Sequence, residues 1–163
     1  MTREKTVCFT GHRHIAAYDR AELQKELKKE LTYQISQGVT VFRAGGAIGF
    51  DTLAALTVLE LKKLYPHIRL ELILPCPSQT EKWNERDTAI YQSILEEADS
   101  HRYISAHYFN GLLQLRNRAL VEGADVCIAY LNNSHGGGTA YTSALAIRSG
   151  LDYINLAERV GWN

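Results

Sequence analysis

The sequence predicts an α/β fold: a single-domain, Rossmann-like three-layer domain with a mostly parallel, doubly wound sheet. Three observations predict it. Short apolar runs alternate with longer helical patterns from end to end. The runs at 6–10 and 126–130 read as buried strands. Three of the strand-to-helix connections, opening at Gly11, Gly45 and Asn132, carry glycines, as loops at the ligand edge of such sheets do.

Thr6-Val7-Cys8-Phe9-Thr10 is the first strand. A helix over 19–37 follows, with Leu23, Leu27, Leu31 and Ile35 on one stripe, and Gly38 ends it as a left-handed cap. Residues 39–44 form a second strand. The helix over 50–65 is apolar on most sides and is closed by Pro66. Residues 68–74 make a third strand, stopped by Pro75-Cys76-Pro77. Ser78 or Thr80 then starts a helix reaching Ala98, with Glu81 completing a capping box after Ser78. Residues 102–104 are a weak strand, 111–122 a helix, 126–130 a strand, 132–138 a loop, 139–149 a helix and 152–155 a last strand. Residues 156–163 read as a short tail.

The chain has 163 residues, enough to bury a core without staples. Lys+Arg and Asp+Glu both number 18, so the net charge is zero, and bulk electrostatic attraction to nucleic acid is not expected. Three cysteines point to reduced thiols and a cytoplasmic setting; Cys8 and Cys127 read as core. No apolar run is long enough to span a membrane. The absence of a CxxC pair leaves no metal expected, and no cofactor is expected either.

Candidate site residues lie where ligands sit in doubly wound sheets, beyond the carboxyl ends of the strands. After the first strand, Gly11 permits a tight turn, while His12 and Arg13 offer donors and a fixed charge; a plain turn with exposed basic residues is the alternative. After the second come Gly45, Gly46 and Gly49, whose backbone can approach a phosphate at the next helix's N-terminus. There Asp51 is either a cap or a ligand contact. Gln79, Trp83 and Asp87 recur every four residues and share one helix face, suited to a base or sugar unless Trp83 simply packs. Gly136, Gly137 and Gly138 precede a further helix, with Thr139 adding a hydroxyl or a cap. Arg116 and Asn117 either reach this edge or form a solvated face. Tyr91, Ile94 and Leu95 either form a dimer stripe or are core.

With Thr10-Gly11-His12-Arg13, the run from Ala44 to Asp51, Pro75-Cys76 with Gln79 and Trp83, Arg116-Asn117 with Leu120-Val121, and Gly137-Gly138-Thr139 in this order, the chain resembles the SLOG superfamily. It is most like the YspA/YpsA-like group. The resemblance implies a Rossmann-like domain, commonly dimeric, that senses or processes a nucleotide or nucleotide-derived ligand such as AMP or ADP-ribose. It also brings two comparisons. Lonely-Guy-type phosphoribohydrolases cleave the N-glycosidic bond of nucleoside monophosphates with an Arg nine residues before an Asp and a Glu three residues after a GGxGT segment. Arg116 stands nine before Asp125, but Thr142 occupies the Glu position. An N-glycosidase would therefore need a displaced acid, Asp51 or Asp87. DprA-type proteins bind single strands, and the neutral charge of this chain leaves nucleic acid an unexpected partner.

Overall fold

The computed structural model describes residues 3–132 and 137–161. Six strands form one sheet: β1 (Lys5–Gly11), β2 (Val39–Ala44), β3 (Arg69–Leu74), β4 (Ser100–Tyr103), β5 (Val126–Tyr130) and β6 (Asp152–Asn155). Their spatial order is β4-β3-β2-β1-β5-β6, and every neighbouring pair is parallel. The helices are α1 (Ala17–Ser36), α2 (Phe50–Lys62), α3 (Glu85–Glu97), α4 (Leu112–Val121) and α5 (Gly138–Arg148).

The strand order explains the layers. Right-handed crossovers that step one way across a parallel sheet put their helices on one face, and those that step back put them on the other. The chain steps from β1 out to β4 through α1, α2 and α3, then returns to β5 and β6 through α4 and α5. Alternate side chains accordingly enter two cores. Val7 and Phe9 of β1 and Val126, Ile128 and Tyr130 of β5 join the core under α1 and α2. Cys8 and Cys127 join the smaller core with Leu120 and Ala146 of α4 and α5. Because both faces are covered, residues 6–10 of β1 and all of β5 are buried. Each fully buried side chain of this size stabilises by about 1.5–3 kcal/mol.

Two expectations need correction. Residues 77–98 are not one helix: Pro77–Thr80 form a short 3₁₀ turn, and α3 starts only at Glu85. The cap is Asn84, whose Oδ1 accepts the Asp87 amide at 2.7 Å while its Nδ2 donates to Asp87 Oδ2 at 3.0 Å. Hence Gln79, Trp83 and Asp87 do not share a helix face. The tail is also structured up to Gly161, for Leu156–Arg159 form a 3₁₀ turn and Leu156 and Val160 are buried in the main core. Of the two alternatives for Tyr91, Ile94 and Leu95, the structure has the core one: Tyr91 and Ile94 are buried and Leu95 packs against the same core.

Candidate functional site

The order reverses at β1, which lies between β2 and β5. A crevice opens there because the connections leaving the two central strands run to opposite faces. In this protein the crevice is a cleft of about 470 Å³ lined by Phe9 to Arg13, Ala47 and Asp51, Leu113, Arg116, Asn117 and Leu120, and Gly138 and Thr139. Four elements thus contribute: the end of β1, the start of α2, the inner face of α4 and the start of α5. Its foundation is aromatic. Phe9 meets Phe50 edge to face with ring centroids 6.2 Å apart, and Phe50 stacks on Tyr130 at 6.0 Å.

Arg116 and Asn117 are buried at the cleft and do not form a solvated face. Arg116 Nε donates to Asn117 Oδ1 at 2.9 Å, and its Nη1 donates to the Gly45 carbonyl. Asp51, also buried, receives the Ala47 amide at 3.3 Å and the Gly45 amide. Gly45 lies between the two charges: a Cβ there would stand 2.9 Å from Arg116 Nη1 and 2.9 Å from Asp51 Oδ2. Burial pushes the Asp51 carboxyl above its ordinary range, opposed by the Arg116 and Arg13 charges and by the two backbone donors. Burial likewise lowers the Arg116 guanidinium; Asp51 works against that shift, and Arg13 adds to it.

Asp51 does not cap α2, whose cap residue is Gly49. The glycine loop instead wraps Asp51, so a carboxylate of the chain itself takes amides that the sequence offered to a phosphate. The first amide of α2, from Phe50, donates to the His12 carbonyl at 3.1 Å. The start of α5 is different, since Gly138 and Thr139 face the cleft directly. Thr139 is not a cap, because Gly137 fills that position. Gly136 lies outside the described residues. Thr142 is fully buried, and its hydroxyl donates to the Gly138 carbonyl at 2.8 Å, one turn back along α5.

His12 is half-buried, its ring edge-on to Tyr130 at 5.9 Å, and its Nε2 accepts the Asn132 amide at 3.2 Å. Accepting that bond requires a neutral imidazole, and burial lowers the His12 pKa from its ordinary 6.5. The folded value lies below the unfolded one, so the unfolded chain takes the proton first as pH falls. The stability contributed by neutral His12 is therefore present above pH 6.5 and lost below it. Urea unfolding between pH 7 and 5 should show a shallower acid loss in His12→Gln than in the original protein. Equal slopes would remove this role. His12 and His14 stand two apart, a spacing that sequence reasoning missed, yet no group of three His, Cys, Asp or Glu among the described residues could hold a metal.

The remaining candidates lie elsewhere. Gln79 Nε2 donates to the Gly46 carbonyl at 2.8 Å, and Trp83 packs edge-on to Tyr91 at 5.5 Å. Gln79 and Trp83 line a separate cavity of about 350 Å³ with Cys76, Ser78 and Tyr108. Asp87 belongs to the start of α3, so it supplies no acid to the cleft. Sequence reasoning also missed Thr10, Ala47 and Leu113 as lining residues. Leu113 faces inward at the position three before Arg116, a helical spacing that could have revealed it.

Comparison with known proteins agrees with this architecture. The sequence pattern of the YspA SLOG family matches residues 7–152. A UPF0398 protein of Brevibacillus brevis is 33% identical over 133 residues, 78% of this chain and 69% of the relative. Another from Bacillus pumilus is 30% identical over 146 residues, covering 84% and 78%. Among solved structures, DNA processing protein A from Helicobacter pylori superposes with a TM-score of 0.64 at 20% identity, over 91% of this chain. The chain spans 63% of the length of that neighbour, which binds single-stranded DNA. That neighbour overturns the expectation that nucleic acid is an improbable partner, because the same fold serves a single-strand binder. Net charge sums the whole surface and does not report local charge, so a total of zero does not argue against such a partner. Among the described residues no helix is long and apolar enough to cross a membrane.

Proposed function

The protein belongs to the YspA SLOG family, and we propose that its cleft binds the phosphate of a nucleotide unit, either free, as in AMP or ADP-ribose, or within a single strand. The observation that carries this reading is the charge count of the cleft. Among the described residues, two guanidinium groups, Arg13 and the buried Arg116, face one carboxylate, Asp51, whose acceptors are already engaged by backbone amides. A phosphate would neutralise the excess, and Arg side chains match its geometry. Gly138 and Thr139 at the start of α5 add the positive end of a helix. The volume of the cleft suits a small ligand.

Binding is favoured over turnover by the acids present. Position 142 holds a buried Thr, and Asp87 is absent from the cleft. Base release from a nucleoside monophosphate would rest on Asp51, raised by burial beside Arg116. Unchanged base release in Asp51→Asn would end that second reading.

Calorimetric titration with ribose 5-phosphate, AMP, ADP-ribose and 5′-phosphorylated oligothymidylate tests the main one. Arg13 is exposed, so Arg13→Ala should leave the fold intact. Losing its charged hydrogen bonds should weaken each ligand by about 10- to 150-fold. A protein that binds none of the four, or binds them equally well without Arg13, would refute the proposal.

A further inference from the structure

A second chamber of about 830 Å³ adjoins the cleft. It is lined by His14, Ala16, Ala17, Tyr18 and Asn132, and it shares His12 and Arg13 with the cleft. The two spaces therefore meet at the turn that follows β1, which lines both. Their chemistry differs. The cleft holds buried charge, whereas the chamber offers an aromatic ring, imidazoles and small alanines, with shared Arg13 as its one Lys, Arg, Asp or Glu side chain among the described residues. Tyr18 is 84% exposed, the most exposed of the large hydrophobic side chains among the described residues. The reason is helical phase. Asp19, Leu23 and Leu27 turn into the body of the protein, and Tyr18, one residue earlier, is rotated about 100° away.

We infer that this chamber takes the base of the nucleotide whose phosphate lies in the cleft, with the base stacked on Tyr18. The inference rests on the proposed phosphate site and extends it, since it selects a nucleoside phosphate over a sugar phosphate or inorganic phosphate. It also moves the base away from Trp83, which lines the other cavity. A flat ring facing solvent next to a phosphate site is suited to stacking, and stacking tolerates every base because each presents a π face.

The experiment compares ribose 5-phosphate, AMP and 5′-phosphorylated oligothymidylate on the original protein, Tyr18→Ala and Tyr18→Phe. AMP should bind more tightly than ribose 5-phosphate. Tyr18→Ala should weaken AMP by about 5- to 150-fold, leave ribose 5-phosphate within about twofold, and Tyr18→Phe should retain the AMP affinity. A loss seen only with the oligothymidylate also supports the chamber and identifies a strand as the source of the base. Tyr18→Ala that weakens neither AMP nor the oligothymidylate, or that weakens ribose 5-phosphate equally, overturns the inference and leaves the cleft reading standing. An original protein that fails to bind ribose 5-phosphate, AMP and the oligothymidylate alike refutes the phosphate site itself.

Discussion

Replacing Arg116 with methionine should destabilise the protein by about 3–5 kcal/mol, the usual result of leaving one member of a buried pair of opposite charges alone. At this chain length that corresponds to a fall in Tm of roughly 6–20 °C. The loss has two sources. The Gly45 carbonyl and Asn117 Oδ1 lose their donor, and Asp51 loses the nearest charge that favours its ionised form. The second source gives the effect a pH signature. Burial holds folded Asp51 above its ordinary 3.8, so the folded protein retains that proton more tightly than the unfolded chain does. Its contribution is present at low pH and lost as pH rises towards the raised value. Removing Arg116 raises that value further, so Arg116→Met should fall further below the original protein at pH 8 than at pH 5. The double variant Asp51→Asn/Arg116→Met removes the charge, keeps an oxygen for one loop amide, and should recover part of the loss at pH 8. Urea unfolding at both values measures this. A gap independent of pH, with no recovery in the double variant, would mean that Asp51 and Arg116 are not coupled.

The same pair shows how far the sequence could be read. The loop from Gly45 to Asp51 was visible as glycines between a strand and a helix, and the carboxylate was visible too. What its amides hold was not visible, because a loop wraps its own Asp only when the strand end and the helix start are placed in space. The central strands were legible because β1 and β5 are covered on both faces, and that requirement leaves the apolar runs 7–9 and 126–130. Residues 77–84 misled because Ser78 and Glu81 have the spacing of a capping box, while Asn84 and Asp87 form the cap actually used. Local spacing ranks neither. The final turn escaped notice for a related reason. Leu156 and Val160 are two isolated apolar residues in a polar stretch, and only the core they meet shows that they are structural. Tyr18 is the reverse case: nothing in composition marks it, and its interest comes from facing solvent beside the cleft.

Alanine at Gly49 should cost at least about 3 kcal/mol, while alanine at Gly38 should cost only about 1–2 kcal/mol, although both glycines have positive φ. Gly38, at +96°, ends α1 with nothing within 4 Å of where a Cβ would stand, so its alanine meets only the left-handed backbone penalty. Gly49, at +86°, meets that penalty and a collision as well. Its Cβ would stand 2.2 Å from the Arg13 carbonyl oxygen and 2.6 Å from that of His12. Backbone oxygens cannot rotate aside as a side chain can, and the His12 carbonyl is also tied to the Phe50 amide at 3.1 Å. Relief therefore requires the whole turn after β1 to move away from α2. That turn carries His12 and Arg13, which line both the cleft and the adjoining chamber. Gly49→Ala should thus weaken ribose 5-phosphate even under conditions where the protein stays folded, whereas Gly38→Ala, distant from the turn, should lower Tm by a few degrees and leave affinity unchanged. Equal stability losses in the two variants would show that the turn is not pressed against α2. An undisturbed affinity in Gly49→Ala would show that the close approach does not position Arg13.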